Sequence, residues 1–175
     1  MDEQEVMKLL RHYRHDWMNE LQIILGYAQM GKLDKVEEKI KSSVEIAEKE
    51  RELQRLPLPK TALRIIQLKC YYENFRIDFL IQQEGTISAD DDQLVTQLDQ
   101  LMNYFVEHSI KTTLYHGTIK LHQAKDSQLQ LSFDISDEFL ERENLLKKIS
   151  KIDHSMVMEK RSYKEDYINF LWTVN

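Results

Sequence analysis

The sequence predicts an α+β protein in two parts, with residues 1–56 forming a helical hairpin and residues 57–175 an α/β sandwich. Three observations carry this. Apolar residues recur at steps of three and four through the first fifty or so positions. The proline-broken LPLPK follows at Leu56–Lys60, and beyond it period-two apolar stretches are interleaved with helical ones.

From about Glu3 to Gln29 the recurring positions are Val6, Leu10, Tyr13, Trp17, Leu21, Ile24 and Ala28, the seam of an amphipathic helix. Gly31 stops it. Leu33, Val36, Ile40, Val44 and Ala47 resume the spacing through the charged segment KVEEKIKSSVEIAEKERE, and so short a connection folds the two helices back as an antiparallel hairpin. Each helix has one narrow apolar stripe, too little for a two-helix core to stand alone. A second copy completes a four-helix bundle, so the sequence predicts a homodimer built on the hairpin.

In LPLPK each proline removes a backbone donor and restricts the residue before it, which places a domain boundary after Leu56. The second part then reads as a helix over about Thr61–Asn74, a strand at Arg76–Gln82 and a helix over about Asp91–Thr113. Strands around Thr118–His122 and Leu129–Ile135 follow, then a helix over about Glu138–Ile149 and a last strand at Asp166–Val174. Helices interleaved with strands in this order suggest one sheet covered on one face.

The net charge of −6 speaks against general binding of nucleic acid or an anionic membrane, since a phosphate-tracking surface needs a broad excess of Lys and Arg. An acidic, polar start and the lack of any apolar run near the ~20 residues of a membrane span predict a cytoplasmic protein. Cys70, the only cysteine, reads as a small core hydrophobe. Asp90-Asp91-Asp92 reads as helix capping rather than a metal site. His116, His122 and His154 lack companions at zinc-ligand spacing.

The chemistry concentrates in the first helix. At about 100° per residue, His15 lies about 165° from the centre of the Tyr13–Trp17–Ile24 seam and points to solvent. Lys8, Arg11, His12, Asn19 and Gln22 share its wide face, with Met18 at the edge and Asp16 about a quarter turn round. An exposed imidazole, neutral near pH 7 at its ordinary pKa of about 6.5, is a fit nucleophile toward a phosphoryl group. Phosphoryl transfer demands positioning and charge neutralisation, which Arg11, Arg14 and a rigid helix supply. Asp16 is placed to orient or deprotonate the ring. A polar face on any surface helix shows the same pattern, and geometry alone does not choose His15 over His12.

The octapeptide His15-Asp16-Trp17-Met18-Asn19-Glu20-Leu21-Gln22, preceded by Arg14, resembles the phosphoacceptor box of the sporulation initiation phosphotransferase B family. More loosely it is similar to the His-Asp-x-x-Asn boxes of citrate-type sensor histidine kinases. The resemblance implies that His15 receives a phosphoryl group, and that paired hairpins form a four-helix bundle with the active histidines outside. After Pro59 the element order resembles a degenerate histidine-kinase ATP-binding domain. A working one needs an asparagine-bearing helix for Mg²⁺ and glycine-rich loops that approach the nucleotide closely. Aligned on the kinase pattern Asn-Leu-Leu-x-Asn-Ala-Ile, LDQLMNYFVEHSIK has Tyr104 and His108 at the two asparagines, with Asn103 one residue out of register. DISDEFLEREN stands where Asp-x-Gly-x-Gly belongs, and no glycine follows Gly117.

The resemblance therefore implies a phosphotransferase with no cofactor of its own and no autokinase activity. His15 takes the phosphoryl group from the aspartyl phosphate of a single-domain response regulator and passes it to the aspartate of a response-regulator transcription factor in sporulation initiation. Mg²⁺ arrives in the regulator. Lys8, Arg11 and Arg14 favour docking and offset phosphate charge, Asp16 tunes the imidazole, and Met18, Asn19 and Gln22 line the contact. A reading from a different class is a non-catalytic dimeric adaptor that binds and holds a kinase or regulator.

Overall fold

The computed structural model describes residues 2–83, 87, 89–123, 128–136, 138–152, 157–159 and 167–174. The chain divides into two compact units, Met1–Glu52 and Leu53–Asn175.

The first unit is helical, built from α1 (Glu3–Gln29) and most of α2 (Leu33–Gln54). A capping box opens α1: Glu5 N–H donates to the Asp2 carboxylate at 2.8 Å, and Asp2 N–H donates to the Glu5 carboxylate at 3.1 Å. Gly31 ends it at φ 69°, a left-handed conformation that a Cβ would strain. The helices are tied at Glu20, whose carboxylate accepts from Lys39 Nζ at 2.7 and 2.9 Å and from Ser43 Oγ at 3.1 Å.

The hydrogen bond from Lys39 holds the Glu20 carboxyl below its ordinary pKa against the opposing effect of burial, with Ser43 helping. A lowered folded-state pKa stabilises above the unfolded value and is lost as pH falls through the folded one. Glu20→Gln is therefore expected to cost about 1 kcal/mol at pH 7. Thermal melts should show the gap from wild type closing in acid, below about pH 4. A gap unchanged at pH 3 would contradict the clamp.

The predicted seam of α1 divides. Tyr13 and Ile24 are half-buried with Leu9 and Tyr27, but Leu10, Trp17 and Leu21 are 57%, 50% and 54% exposed, and Val6 and Ala28 are exposed as well. No residue of α1 is fully buried. On α2 only Val36 of the predicted stripe is half-buried, and Leu33, Ile40, Val44 and Ala47 stay exposed. One antiparallel neighbour can shelter only part of a helix's circumference, and these stripes are wider than that part.

The second unit contains α3 (Pro59–Tyr71), β1 (Phe75–Gln83), α4 (Asp91–His108), β2 (Tyr115–Gln123), β3 (Leu129–Ser136), α5 (Arg142–Ile149), β4 (Val157–Glu159) and β5 (Tyr167–Val174). The sheet runs β1-β2-β3-β5-β4, with β1 and β2 parallel and every other pair antiparallel. A parallel pair needs a crossover, and α4 supplies it. Alternate residues Phe75, Ile77, Phe79, Tyr115, Ile119, Leu121, Leu131, Phe133 and Ile135 are buried, and their neighbours in the strands are more exposed. Their core is shared with Leu94, Leu98, Leu101, Met102 and Phe105 of α4, with the Phe105 ring 5.2–5.7 Å from those of Phe133, Phe139 and Phe170. Gly117 lies where a Cβ would come within 2.9 Å of Ile77 Cδ1 and 3.1 Å of the Asp134 carbonyl oxygen.

Several boundaries differ from expectation for visible reasons. Leu53, Leu56 and Leu58 are buried, so the second unit begins before LPLPK, and Pro59 opens α3 as its first residue. Helix α4 stops at His108 rather than Thr113, because Ser109 caps it and Ile110 N–H turns to the Tyr115 hydroxyl at 3.0 Å. Helix α5 begins at Arg142 rather than Glu138: the Glu138 carbonyl accepts from Tyr115 Oη at 2.8 Å, and Glu141 is left-handed at φ 47°. Strand β4, three residues long, was not expected. Asp166, the predicted start of the last strand, lies outside the described residues, as does His154.

The acidic triplet divides its labour among caps. Asp90 accepts from Asp92 N–H and Gln93 N–H, both at 3.0 Å, at the start of α4. Asp91 caps α3 instead, accepting from Lys60 N–H and Thr61 N–H at 2.8 Å and from Thr61 Oγ1 at 2.6 Å. Leu58, at that helix's own N-cap, offers no side-chain acceptor, so the bond must come from elsewhere. Asp92 pairs with Lys60 at 2.5 Å. Cys70 is half-buried rather than fully so, with Sγ 3.9 Å from the Ile66 carbonyl.

Candidate functional site

The helical spacing of α1 sets up two side-chain pairs, His12 with Asp16 and His15 with Asn19, each four residues apart and so on neighbouring turns of one face. His12 Nε2 is 3.4 Å from Asp16 Oδ2. His15 Nδ1 is 3.5 Å from Asp16 Oδ1 and 3.2 Å from Asn19 Nδ2. The Asp16 carboxylate thus spans both imidazoles, one oxygen to each ring. The His15 side chain is 71% exposed, and Nε2, across the ring from Nδ1, has no protein partner among the described residues.

Nδ1 has two suitors with opposite demands. Asp16 requires a proton on Nδ1, which leaves the Nε2 lone pair open to an electrophile. The Asn19 amide, donating, requires the Nδ1 lone pair, and the proton then sits on Nε2 and blocks it. Nucleophilic chemistry at Nε2 needs the tautomer that Asp16 selects.

The remaining predicted residues fall at stated places around the helix. With about 100° per residue, Lys8, Arg11, Asn19 and Gln22 lie within about 40° of His15, and Met18 and His12 within about 60°. All except His12 are exposed. Arg14 and Asp16 lie about 100° away on opposite sides. Arg14 is exposed but shares its side of α1 with Leu21 and Leu25, so the helix places Arg11 nearer to His15 than Arg14. The site therefore gathers His12, His15, Asp16 and Asn19 by contact and Lys8, Arg11 and Gln22 by face. Trp17, expected to pack, is half-exposed on the far side of the helix, about 160° round from His15. Sequence reasoning missed the link from His12 to Asp16 and the Glu20 clamp. The four-residue spacing signalled the first, and nothing local signalled the second.

In the second unit, the two positions aligned with kinase asparagines present no amide. His108 is buried, with Nδ1–H donating to the Tyr104 carbonyl at 2.9 Å. The Tyr104 ring is half-buried with Lys148 Nζ 5.7 Å from its centre. Among the described residues no group of three His, Cys, Asp or Glu side chains stands close enough to hold a metal ion. No helix among them is long and apolar enough to cross a membrane.

Among solved structures the chain is similar to a mycobacterial sensor histidine kinase, MprB, with a TM-score of 0.42 and 6% identity over 66% of this chain and 93% of that one. It is also similar to the catalytic domain of the histidine kinase ThkA, with a TM-score of 0.41 and 15% identity over 74% of this chain and 92% of that one. Residues 1–56 match the family described as the sensor kinase SpoOB-type, alpha-helical domain. Sporulation initiation phosphotransferase B of Bacillus subtilis (strain 168) is 32% identical over 138 residues, 77% of this chain and 71% of that protein. Matched over that length and at that identity, with the histidine-bearing hairpin inside the region the family describes, the chain belongs to the sporulation initiation phosphotransferase B family.

Proposed function

We propose that the chain is a histidine phosphotransferase of a phosphorelay, in which His15 takes a phosphoryl group from the aspartyl phosphate of one response regulator and yields it to the aspartate of another. The observation that carries this reading is the state of the His15 ring: exposed on a rigid helix, engaged at Nδ1 by Asp16 and Asn19, and open at Nε2. Membership in a family named for a sporulation phosphotransferase supports it.

The step balances without proton transfer. The Nε2 lone pair forms a bond to phosphorus, the bond from phosphorus to the donor carboxyl oxygen breaks, and its electron pair stays with the donor aspartate. The ring keeps its Nδ1 proton and becomes a phosphoimidazolium, whose positive charge Asp16 offsets. Asp16 accordingly acts as an electrostatic and orienting group rather than as a base. The second half-reaction reverses these changes on the acceptor. Mg²⁺ belongs to the regulator's acidic pocket, and two such hairpins pair as a homodimer with the His15 rings outside.

An acidic regulator pocket docks against cations, so the Lys8–Arg11 side of α1 steers both donor and acceptor. Arg11→Glu is expected to slow both half-reactions about tenfold at low salt and less at 1 M, where the Debye length is about 3 Å. Arg14→Glu should slow them less, being farther round the helix. An Arg14 effect exceeding that of Arg11, or one without salt dependence, would contradict this placement.

The direct test is incubation with a phosphorylated single-domain regulator. Label should move to the chain, whereas an adaptor would leave it where it was. Calorimetry with Mg-ATP should register no micromolar binding. Binding at that level, followed by label on His15 from ATP, would restore a kinase.

A further inference from the structure

We propose that His12 is a positioning residue for the same reaction: it holds Asp16 through Oδ2 and so leaves Oδ1 to receive the Nδ1 proton of His15. The inference rests on the phosphotransferase reading above and assigns a task to a ring that the reading does not use.

Little besides the two histidines fixes Asp16. Its side chain is 59% exposed, and a surface carboxylate on a helix exchanges among staggered rotamers unless something holds it. Its two contacts described are the flanking imidazoles, His12 Nε2 at 3.4 Å and His15 Nδ1 at 3.5 Å. Those rings are not equivalent. The His12 side chain is 38% exposed against 71% for His15, so His12 is the better sheltered anchor and His15 the freer ring. His12 Nε2 faces Asp16 Oδ2 at 3.4 Å, an ion-pair contact when the ring is protonated; a neutral ring with its proton on Nε2 needs only a slight turn toward the carboxylate to donate.

Asn19 makes the anchor matter. Its amide nitrogen is 3.2 Å from the same Nδ1 and, by donating there, selects the tautomer whose Nε2 carries the proton. Asp16 selects the reactive tautomer, and the balance depends on how much of the time its carboxylate faces His15. His12, one turn before Asp16 and three residues before His15, raises that fraction. The pair acts before any regulator arrives, so it sets the chemical step and leaves docking alone.

The test uses the full chain, a phosphorylated single-domain regulator and ¹⁵N-labelled histidine. His12→Phe keeps an aromatic ring but removes the donor. It is expected to lower the single-turnover rate at saturating regulator about five- to tenfold, with the half-saturating concentration unchanged. The His15 ring ¹⁵N shifts should move toward the Nε2–H tautomer. His12→Gln, which restores a donor of similar reach, should recover most of both, and in an Asp16→Asn background His12→Phe should have no further effect. Circular dichroism and sedimentation show whether a variant keeps its fold; should His12→Phe lose it, the comparison of His12→Gln with His12→Ala carries the same expectation. A rate within twofold of wild type and unmoved His15 shifts in the donorless variant overturn the inference. A wild-type chain that takes no label from the phosphorylated regulator would overturn the phosphotransferase reading itself, which separates the two failures.

Discussion

His15→Gln is expected to abolish phosphoryl acceptance, a loss of about a thousandfold or more, because no other ring nitrogen on α1 combines exposure with an unengaged Nε2. The variant should fold normally. A side chain this exposed contributes within about 0.5 kcal/mol to stability, so melting and sedimentation should match wild type. His12→Gln should retain acceptance, since it keeps a donor for Asp16 and leaves His15 in place. Full labelling of the His15 variant together with loss in the His12 variant would assign the chemistry to the other imidazole.

The second large effect concerns the apolar side of α1. Val6, Leu10, Trp17 and Leu21 are exposed in the single chain, and no residue of this 27-residue helix is fully buried. A contiguous apolar stripe of this length is expected to serve as an interface, and an antiparallel hairpin pairing with a second copy would cover it. Sedimentation at micromolar concentration is expected to give twice the chain mass. Trp17→Glu or Ile24→Glu should dissociate or unfold the dimer, because an unpaired charge in a closed apolar seam costs several kcal/mol. A folded, monodisperse wild-type monomer at that concentration would contradict the bundle.

Elements with a strong period were legible in the sequence, and those fixed by distant partners were not. The α1 and α2 stripes, the alternation of β1, β2 and β3, and the outward placement of His15 all follow from local spacing. The end of α4 was not legible, since it depends on Ile110 N–H meeting the hydroxyl of Tyr115. The start of α5 depends likewise on the Glu138 carbonyl accepting from Tyr115. Asp91 was recognisable as a cap from its position at a helix start, but the helix it caps is α3, about thirty residues earlier in the chain. The spacing draws the seam as one stripe, whereas Tyr13 and Ile24 are half-sheltered and Trp17 and Leu21 are not. Periodicity reports that a face is apolar and does not report which neighbour covers it.

Within the site, helical spacing puts Lys8, Arg11, Asn19 and Gln22 on the face of His15, with Asn19 in contact with it, and puts Arg14 farther round. Consecutive helical residues point about 100° apart, so adjacency in sequence to His15 carried Arg14 away from its face. Asp16 is equally adjacent, yet it reaches His15 because its carboxylate turns back along the helix between the two histidines. Family resemblance, not geometry, preferred His15 to His12. Exposure, 71% against 38%, now gives an independent reason for the same choice.

The central claim is that the phosphoryl group resides on His15 between two regulators, and rapid-quench transfer measures it most directly. Labelled donor regulator, the chain and an unlabelled acceptor regulator are mixed, and each is followed with time. The account predicts that label leaves the donor, accumulates transiently on the chain as an acid-labile, base-stable phosphoramidate that maps to His15, and then appears on the acceptor. Label that passes to the acceptor without residing on His15, or that stays on the donor in the presence of folded, dimeric chain, would contradict it.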